Sequence, residues 1–300
     1  MIKYSIIIPH YNSEITLAAL LESIPKRSDI EVLIIDDRST TSDFIGVMEG
    51  SHLCNKTSHV NDSLKGAGSC RNIGLENASG EYFIFADSDD YFTSNAFDQI
   101  DAELRFIDRE VDILFFCVTS INSEDGLGFR HIGINTLVTN FIKKSGCYYE
   151  EKLRLTHNVP WGKVFRAEFI EKNNIRFDKT IVANDGMFSV KAGKAAENIY
   201  CSDKTIYCVT QTDGSLTVVK NINNYRVRLE VYVRYYNFLT KEERKKIQTS
   251  PLPLLYTGLR YGLIEIFKSA TYLKRNEISI FNNFRLSRDR LEKFLVHLRK

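Results

Sequence analysis

The chain has 300 residues, which is enough for one large α/β domain with an appendage or for two domains. Its hydrophobic fraction of 43% and charged fraction of 26% are those of an ordinary globular protein. No stretch is long and apolar enough to span a bilayer, no signal peptide is visible, and the six cysteines form no CxxC pair. We therefore expect a cytoplasmic protein with free thiols and no zinc site.

The formal net charge of +2 is unevenly distributed. Residues 221–300 hold 17 Lys and Arg against 7 Asp and Glu, a net +10, whereas residues 1–220 hold 23 against 31, a net −8. An acidic body with a basic tail indicates two regions with different partners. In the tail, apolar residues recur at helical spacing, which predicts three or four helices. They include Tyr225, Leu229, Val233, the stretch Leu254–Leu273, Phe294, Leu295 and Leu298.

A strand–helix–strand unit opens the chain. Tyr4–Ile8 is a β-rich run that we expect Pro9 to close, because proline cannot continue a central strand. A helical apolar stripe follows, and Glu31–Ile35 is the second strand. Such units favour parallel strands with a right-handed crossover. Polar residues then follow both strands at the same predicted sheet edge: Tyr11, Asn12, Asp36 and Asp37.

Gly66–Arg71 has the look of a dinucleotide-binding loop without its third glycine. Arg71 stands in that position, and the segment follows a long polar loop instead of a strand, so we reject a dinucleotide fingerprint. Arg71 near the start of a short helix could direct its guanidinium towards phosphate. A surface arginine is the alternative.

The stretch Phe83–Asp90 is the strongest functional signal in the chain. A short apolar run reads as a buried strand and ends abruptly at Asp87, Asp89 and Asp90. Ligands of open α/β sheets bind beyond the carboxyl ends of the strands. In an extended segment Asp87 and Asp89 would face the same way and repel each other unless a cation lies between them. Mg²⁺ or Mn²⁺ with a diphosphate is the natural partner, and a helix-capping acidic loop is the alternative.

Later segments are less regular. Residues 121–150 show no clear period, and we expect loops and short elements there. Trp161, the only tryptophan, is typical of a core or a binding platform. Asp185 precedes a predicted helix, whose N-terminus would hold its pKa down. A plain helix-start aspartate is the alternative.

Together these segments resemble the family 2 glycosyltransferases, in particular bacterial capsule and lipopolysaccharide members. The resemblance covers roughly residues 3–217 and rests on an ordered set of motifs. They are Ser5–Asn12, Val32–Ser39, Arg71–Leu75, Gly80–Tyr82, Asp87–Asp90, Trp161–Phe165 and Asn184–Phe188. The implied fold is α/β of GT-A type, Rossmann-like, with a mainly parallel sheet flanked by helices. Residues 1–220 would form this catalytic domain, and residues 221–300 a C-terminal helical appendage.

The resemblance also implies site roles. Asp185 would be the catalytic base, and Mg²⁺ or Mn²⁺ would be bound by Asp89 with help from Asp87. Nucleotide contacts are implied for Pro9, Tyr11, Asn12, Asp37, Arg71, Asp87 and Ser88. Contacts with the acceptor or the donor sugar are implied for Trp161, Lys163 and Asp90.

The implied activity is metal-dependent, inverting transfer of a hexosyl or N-acetylhexosaminyl group. The donor would be a nucleotide-sugar, with UDP expected, and the acceptor a glycan or a lipid-linked oligosaccharide in surface polysaccharide synthesis. The metal would act as a Lewis acid on the leaving diphosphate. A non-catalytic nucleotide-sugar- or glycan-binding module and a nucleotidyltransferase are the alternatives, and we expect no nucleic-acid partner.

The role of the basic tail stays open in the sequence. The basic tail could contact an anionic membrane at the inner face of the cell membrane, or it could form a homodimer interface. The chain also departs from the family pattern twice. Asn184 stands where a Glu is usual, and residues 40–64 lack the third strand that we expected.

Overall fold

The computed structural model describes residues 1–40, 43–107, 110–122, 126, 128–144, 146–211 and 221–280. By internal packing the chain divides into residues 1–227 and residues 228–300. The functions assigned above to the body and to the tail stay predictions. The six cysteines, all within the described ranges, are free thiols.

The first unit is built on one mixed sheet with the strand order β3-β2-β1-β4-β7-β6-β8-β5. The strands β1 to β4 are parallel to one another, and β6 is parallel to β8. β7 is antiparallel to both of its neighbours, β4 and β6. β5 is antiparallel to β8. The strands are β1 (Tyr4–His10), β2 (Ile30–Asp36), β3 (Asn55–Val60), β4 (Tyr82–Phe85), β5 (Tyr91–Phe92), β6 (Ile113–Asn122), β7 (Lys163–Arg166) and β8 (Ile199–Gln211).

Helices connect these strands and cover both faces of the sheet. Those of the first unit are α1 (Glu14–Ser23), α2 (Phe44–Gly50), α3 (Ala67–Asn77), α4 (Ala96–Phe106), α5 (His131–Lys143), α6 (Cys147–Thr156), α7 (Ala167–Lys172) and α8 (Gly186–Ala195). The division between the two units falls within α9 (Ile222–Phe238).

Successive residues of the central strands bury opposite faces. Every residue of β1 is buried. Ile6 and Ile8 belong to one hydrophobic cluster together with Leu17 and Leu20 of α1. Ile7 belongs to a second cluster that includes Leu75 of α3. Because side chains alternate along a strand, a continuous apolar run of this kind needs a helix layer on each side of the sheet.

Three sequence expectations about elements were wrong. β1 continues through Pro9 to His10, since proline keeps the carbonyl that a strand needs, and Pro9 pairs in register with Ile35. β3 exists within residues 40–64 and pairs with β2, although all its residues except Val60 are polar and all are only half-buried or exposed. The helices α5 and α6 lie where we expected loops and short elements.

The second unit is helical where it is described. α9 is followed by α10 (Lys241–Ile247), α11 (Leu252–Gly258), a 3₁₀ turn at Leu259–Tyr261 and α12 (Leu263–Arg275). Leu229, Val233, Leu255 and Leu273 share one buried cluster. The predicted apolar residues Phe294, Leu295 and Leu298 lie outside the described residues. Within the described ranges, no helix has both the length and the apolar character needed to cross a bilayer.

Candidate active site

An acidic turn lies between β4 and β5 and is hydrogen-bonded to the long strand β8. The backbone N–H of Asp90 donates to the carbonyl of Asp87 at 3.0 Å, which closes the turn. The N–H of Asp87 donates to the hydroxyl of Tyr207 at 2.8 Å, and the N–H of Thr210 donates to the carboxylate of Asp90 at 2.7 Å. Two residues of β8 therefore hold both ends of the turn.

The three carboxylates of this turn repel one another. Burial and then the charge of Asp87 raise the pKa of Asp89 to about 6. Burial and the charges of Asp87 and Asp89 raise the pKa of Asp90 well above its usual range. The segment is the acidic turn that the sequence predicted, and Asp87 and Asp89 lie close enough for the charge of one to act on the other.

Arg71 of α3 connects this turn to a distant part of the chain. Its Nη2 donates to the carboxylate of Asp87 at 2.5 Å, and its Nη1 donates to the side-chain oxygen of Asn184 at 2.9 Å. The side chain is buried, so the alternative of a surface arginine is wrong. Within the described residues its Nε atom has no hydrogen-bond partner.

The loop that precedes α8 is held tightly against α3. The side chain of Asn72 bonds to both backbone groups of Phe177, at 3.0 Å and 2.8 Å. Gly68 approaches so closely that an added Cβ would collide with the carbonyl oxygen of Asp178. Ala183 has the left-handed φ of 56°, a strained conformation for a residue with a side chain. This packing fixes where Asp185 begins α8.

Asp185 is half-buried, and its electrostatic environment is not the one we expected. Burial raises its pKa above the ordinary value, and the charge of Asp87 adds to this effect. Arg71 and Lys163 act in the opposite direction but do not reverse it. The expectation that the helix N-terminus would lower this pKa was therefore wrong, because loss of water outweighs the helix dipole.

The predicted nucleotide edge lies where β1, β2 and β3 end. Asn12, with a φ of 45°, is bonded to the exit of β2: its N–H donates to Ser39 at 2.9 Å, and its side-chain oxygen accepts the N–H of Thr40 at 2.8 Å. Tyr11 is 43% exposed, and the Nζ atom of Lys65 lies 3.7 Å from the centre of its ring. The edge thus offers a half-exposed aromatic ring.

Asp37 is buried at the same edge. Its carboxylate accepts the side-chain amide of Asn61 at 2.7 Å and the N–H of Gly66 at 2.9 Å. Asn61 directly follows β3, so the strand that the sequence did not reveal supplies one wall of this edge. Ser88 also reaches this side of the site, where its hydroxyl lies 2.8 Å from that of Ser13.

Trp161 borders a groove beside the acidic turn. Its ring is stacked on that of Tyr207, with ring centres 6.0 Å apart, and the guanidinium of Arg130 lies 6.0 Å from it. The charge of Arg130 also acts on Asp89. A cavity of about 390 Å³ opens here, and it is lined by Arg130, Gly133, Ile134, Leu137, Thr156, Asn158, Val159 and Trp161.

Lys163 and Asp90, the other residues predicted to contact the acceptor or the donor sugar, are both buried. The Nζ atom of Lys163 donates to the carbonyl of His157 at 2.7 Å, and burial lowers the pKa of Lys163 to about 7. Both residues are thus placed to support the site from within. Sequence reasoning missed Arg130, Tyr207, Asn61 and Lys65, which lie in segments without a motif.

The sheet order and the polar strand ends are those of the GT-A fold class. The model of the family described as "Glycosyl transferase family 2" matches residues 5–173, more than half of the chain, and the chain belongs to this family. The fold class expected from the resemblance is thereby confirmed, and a solved structure agrees. The crystal structure of Staphylococcus aureus TarS 1–349 in complex with UDP-GlcNAc aligns with a TM-score of 0.61 at 24% identity, and the match covers 87% of this chain and 73% of that one.

Curated bacterial relatives are similar to most of the chain. Poly(ribitol-phosphate) beta-N-acetylglucosaminyltransferase TarS from S. aureus strain Mu50 is 29% identical over 226 residues, 71% of this chain and 36% of TarS. Glycosyltransferase GlyA from Streptococcus pneumoniae serotype 4 is 26% identical over 224 residues, 72% of this chain and 32% of GlyA. The chain therefore spans about a third of the length of these relatives.

Proposed function

We propose that this chain transfers a sugar from a UDP-sugar to a glycan or lipid-linked acceptor, with inversion at the anomeric carbon, in the synthesis of a surface polysaccharide. The observation that carries the proposal is the pair of hydrogen bonds made by Arg71. They join Asp87, on the side where a donor diphosphate would bind, to the residue before Asp185, on the side where an acceptor hydroxyl would lose its proton.

The strand-end edge suits a nucleotide base. A base can stack on the half-exposed ring of Tyr11 if it displaces Lys65. Each oxygen of Asp37 keeps a lone pair beyond its bond to Asn61 or Gly66, so this carboxylate can also accept a base N–H. The UDP-GlcNAc bound in the TarS structure supports a uracil base and an N-acetylhexosaminyl or related hexosyl donor.

The donor set of the acidic turn fits Mg²⁺ or Mn²⁺. Asp87 and Asp89 offer hard carboxylate oxygens. Burial and then the charge of Asp87 raise the pKa of Asp89, and a divalent cation would relieve the second of these effects. No larger group of His, Cys, Asp and Glu side chains in the described ranges could hold a metal ion, so the diphosphate would complete the shell. A cation held there supplies Lewis-acid stabilisation of the leaving diphosphate.

Asp185 is placed to act as the single general base. A raised pKa makes its carboxylate a stronger base than an ordinary aspartate. It would take the proton of the acceptor hydroxyl, whose oxygen attacks the anomeric carbon from the face opposite the diphosphate, so that one displacement inverts the configuration. Arg71 lies beside Asp87, where its guanidinium can also pair with the diphosphate as negative charge develops.

The groove over Trp161 is our proposed acceptor site. It is apolar along its floor, and Arg130 at its rim is exposed and near the acidic turn. TarS is named for a poly(ribitol-phosphate) acceptor, an anionic polymer that such a rim arginine would suit. Lipid-linked acceptors of surface polymers would place the enzyme at the inner face of the cell membrane.

Product analysis tests this proposal. The protein is incubated with UDP-GlcNAc, Mn²⁺ and either poly(ribitol phosphate) or a bacterial lipid extract, and products are identified by mass spectrometry and NMR. We expect a β-linked sugar from the α-linked donor. Donor binding without product would favour a non-catalytic binding module. Release of pyrophosphate from UTP and a sugar 1-phosphate would favour a nucleotidyltransferase.

A further inference from the structure

The last described helix, α12, is turned with its apolar side outwards. Glu265, Ser269 and Leu273 form its buried side. Leu263, Ile264 and Phe267 lie on the opposite side and are 69%, 73% and 72% exposed. A helix that packs only against its own domain shows the reverse pattern, with the apolar stripe buried and the charged side in water.

The outward side of α12 is also uniformly basic. Lys268, Lys274 and Arg275 are exposed on it, and Arg260 is exposed in the preceding 3₁₀ turn. The only acidic residue of α12, Glu265, lies on the buried side. We call the set Leu263, Ile264, Phe267, Lys268, Lys274 and Arg275 the outward face of α12.

We infer that the outward face of α12 binds an anionic lipid surface. Apolar side chains flanked by Lys and Arg are what an interfacial helix needs: the apolar residues enter the boundary between headgroups and acyl chains, and the cations pair with headgroup phosphates. Such binding would hold the proposed enzyme at a membrane. Only the purpose of the binding, access to lipid-linked acceptors, rests on the proposed function.

Charge disfavours the main competing occupant, a second copy of the chain. A two-fold interface apposes the same patch on both subunits. The outward face would then bring its three cations against three identical cations with no acidic side chain of α12 between them, which is unfavourable. An anionic surface would attract these cations instead of repelling them. The net charge of +10 in residues 221–300 would add to this attraction.

Vesicle co-sedimentation of the full chain tests the inference. Vesicles of phosphatidylcholine alone are compared with vesicles that contain 30% phosphatidylglycerol, at low and at high salt. We expect binding to the anionic vesicles only, weakened by salt. Phe267→Ser with Leu263→Ser should abolish it, and Lys268→Glu with Arg275→Glu should weaken it by at least twenty-five-fold, about fivefold for each cation lost.

A matched control keeps the test specific. Lys241→Glu with Lys245→Glu changes the net charge of exposed residues on α10 by the same amount and should reduce binding much less. Equal losses in the two charge variants, or wild-type protein that ignores anionic vesicles at low salt, would overturn the inference. Self-association that is lost in the Phe267→Ser, Leu263→Ser variant would also overturn it, in favour of a dimer.

The outcome can be separated from that of the proposed function. All variants should keep the wild-type thermal unfolding temperature and the wild-type rate of UDP-sugar hydrolysis in solution, since α12 carries none of the proposed site residues. A protein that hydrolyses UDP-sugar but does not bind vesicles would contradict the inference about the outward face of α12 and leave the proposed function intact. A protein that binds vesicles but does not hydrolyse UDP-sugar would contradict the proposed function and leave the inference about α12 intact.

Discussion

The Nη1 group of the buried Arg71 donates to the side-chain oxygen of Asn184 at 2.9 Å. One of the hydrogen-bond acceptors of this guanidinium is therefore a neutral amide. The Nη2 group is bonded to Asp87, which is the only carboxylate that hydrogen-bonds to Arg71 within the described residues. A Glu at position 184, the residue usual in the resembling family, would compete with Asp87 for this positive charge. With Asn184 in this place, Asp87 is the hydrogen-bonded counter-charge of Arg71, whose charge also acts on Asp185.

Replacing Arg71 with Lys should lower kcat/KM by at least tenfold. A lysine keeps the charge but is a single point donor and cannot bond to Asp87 and Asn184 in the fixed fork of a guanidinium. Steady-state kinetics with UDP-sugar and acceptor give the value. Arg176→Lys is the matched control, because Arg176 pairs with Glu171 at the surface. Equal kinetics in the Arg71→Lys and wild-type enzymes would contradict a bridging role.

Asp89→Asn should abolish metal-dependent transfer and yet stabilise the metal-free protein at pH 8. The raised pKa of about 6 means that the folded state binds this proton more tightly than the unfolded chain does. The free energy of unfolding therefore falls as the pH rises from about 4 to about 6, and the penalty is complete above that range. Removing the charge removes the penalty.

Thermal unfolding at pH 8 and pH 5 measures this effect. The gain from Asp89→Asn should be largest at pH 8 and shrink at pH 5, where Asp89 is mostly protonated in the wild type. Asp203→Asn, on an exposed residue of β8, removes one carboxylate charge outside the acidic turn and is the matched control. A variant that still requires metal and turns over at the wild-type rate would move the metal site elsewhere.

Asp185→Asn should lower kcat by about 10²–10⁴, the usual share of general-base catalysis, while donor affinity changes little. The amide keeps the shape of the side chain but cannot accept the acceptor's proton. Rapid-quench kinetics and calorimetry with UDP-sugar separate the two quantities, with Asp62→Asn as an exposed control. Near wild-type turnover, or outright loss of donor binding, would show that Asp185 is not the base.

The pH dependence of the wild-type enzyme offers an independent check on Asp185. Because burial raises its pKa, the carboxylate is deprotonated only above the usual range for aspartate. The acid limb of kcat/KM should therefore fall at a higher pH than an exposed aspartate would give.

The positions of many site residues could be predicted from the sequence, because short apolar runs that form strands end in polar residues. β1, β2 and β4 are buried on both faces, so their patterns were strong and placed Tyr11, Asp37 and Asp87 at one sheet edge. β3 escaped notice because it lies at the edge of the sheet and carries polar, half-buried or exposed residues. α5 contains Gly133 and several β-branched residues and fully buries only Val138, so its period was weak.

The electrostatics of Asp185 could not have been predicted from local sequence. Its pKa depends on burial and on Asp87, Arg71 and Lys163, which come from three other elements of the fold. The helix N-terminus was the only influence visible along the chain, and it is not the dominant one. The burial of Lys163 likewise results from packing against Phe115 and Phe165, and no spacing rule reports such contacts.

Arg130→Ala should raise the KM for the acceptor while leaving the dissociation constant of the UDP-sugar unchanged. The guanidinium lies at the rim of the groove over Trp161, on the proposed acceptor side. Arg105→Ala on the exposed end of α4 removes the same charge elsewhere and is the control. An effect confined to donor binding would instead assign Arg130 to the diphosphate.

Release of nucleoside diphosphate is the most direct test of whether this chain cleaves a nucleotide-sugar. A panel of UDP-, GDP- and CDP-sugars is incubated with the wild type and with Asp185→Asn, each with and without Mn²⁺. We expect UDP release from a UDP-sugar that requires Mn²⁺ and is reduced in the variant, and we expect UDP to stabilise the protein against heat more than GDP or CDP. Release of no nucleoside diphosphate from any donor, or a clear preference for GDP- or CDP-sugars, would contradict it.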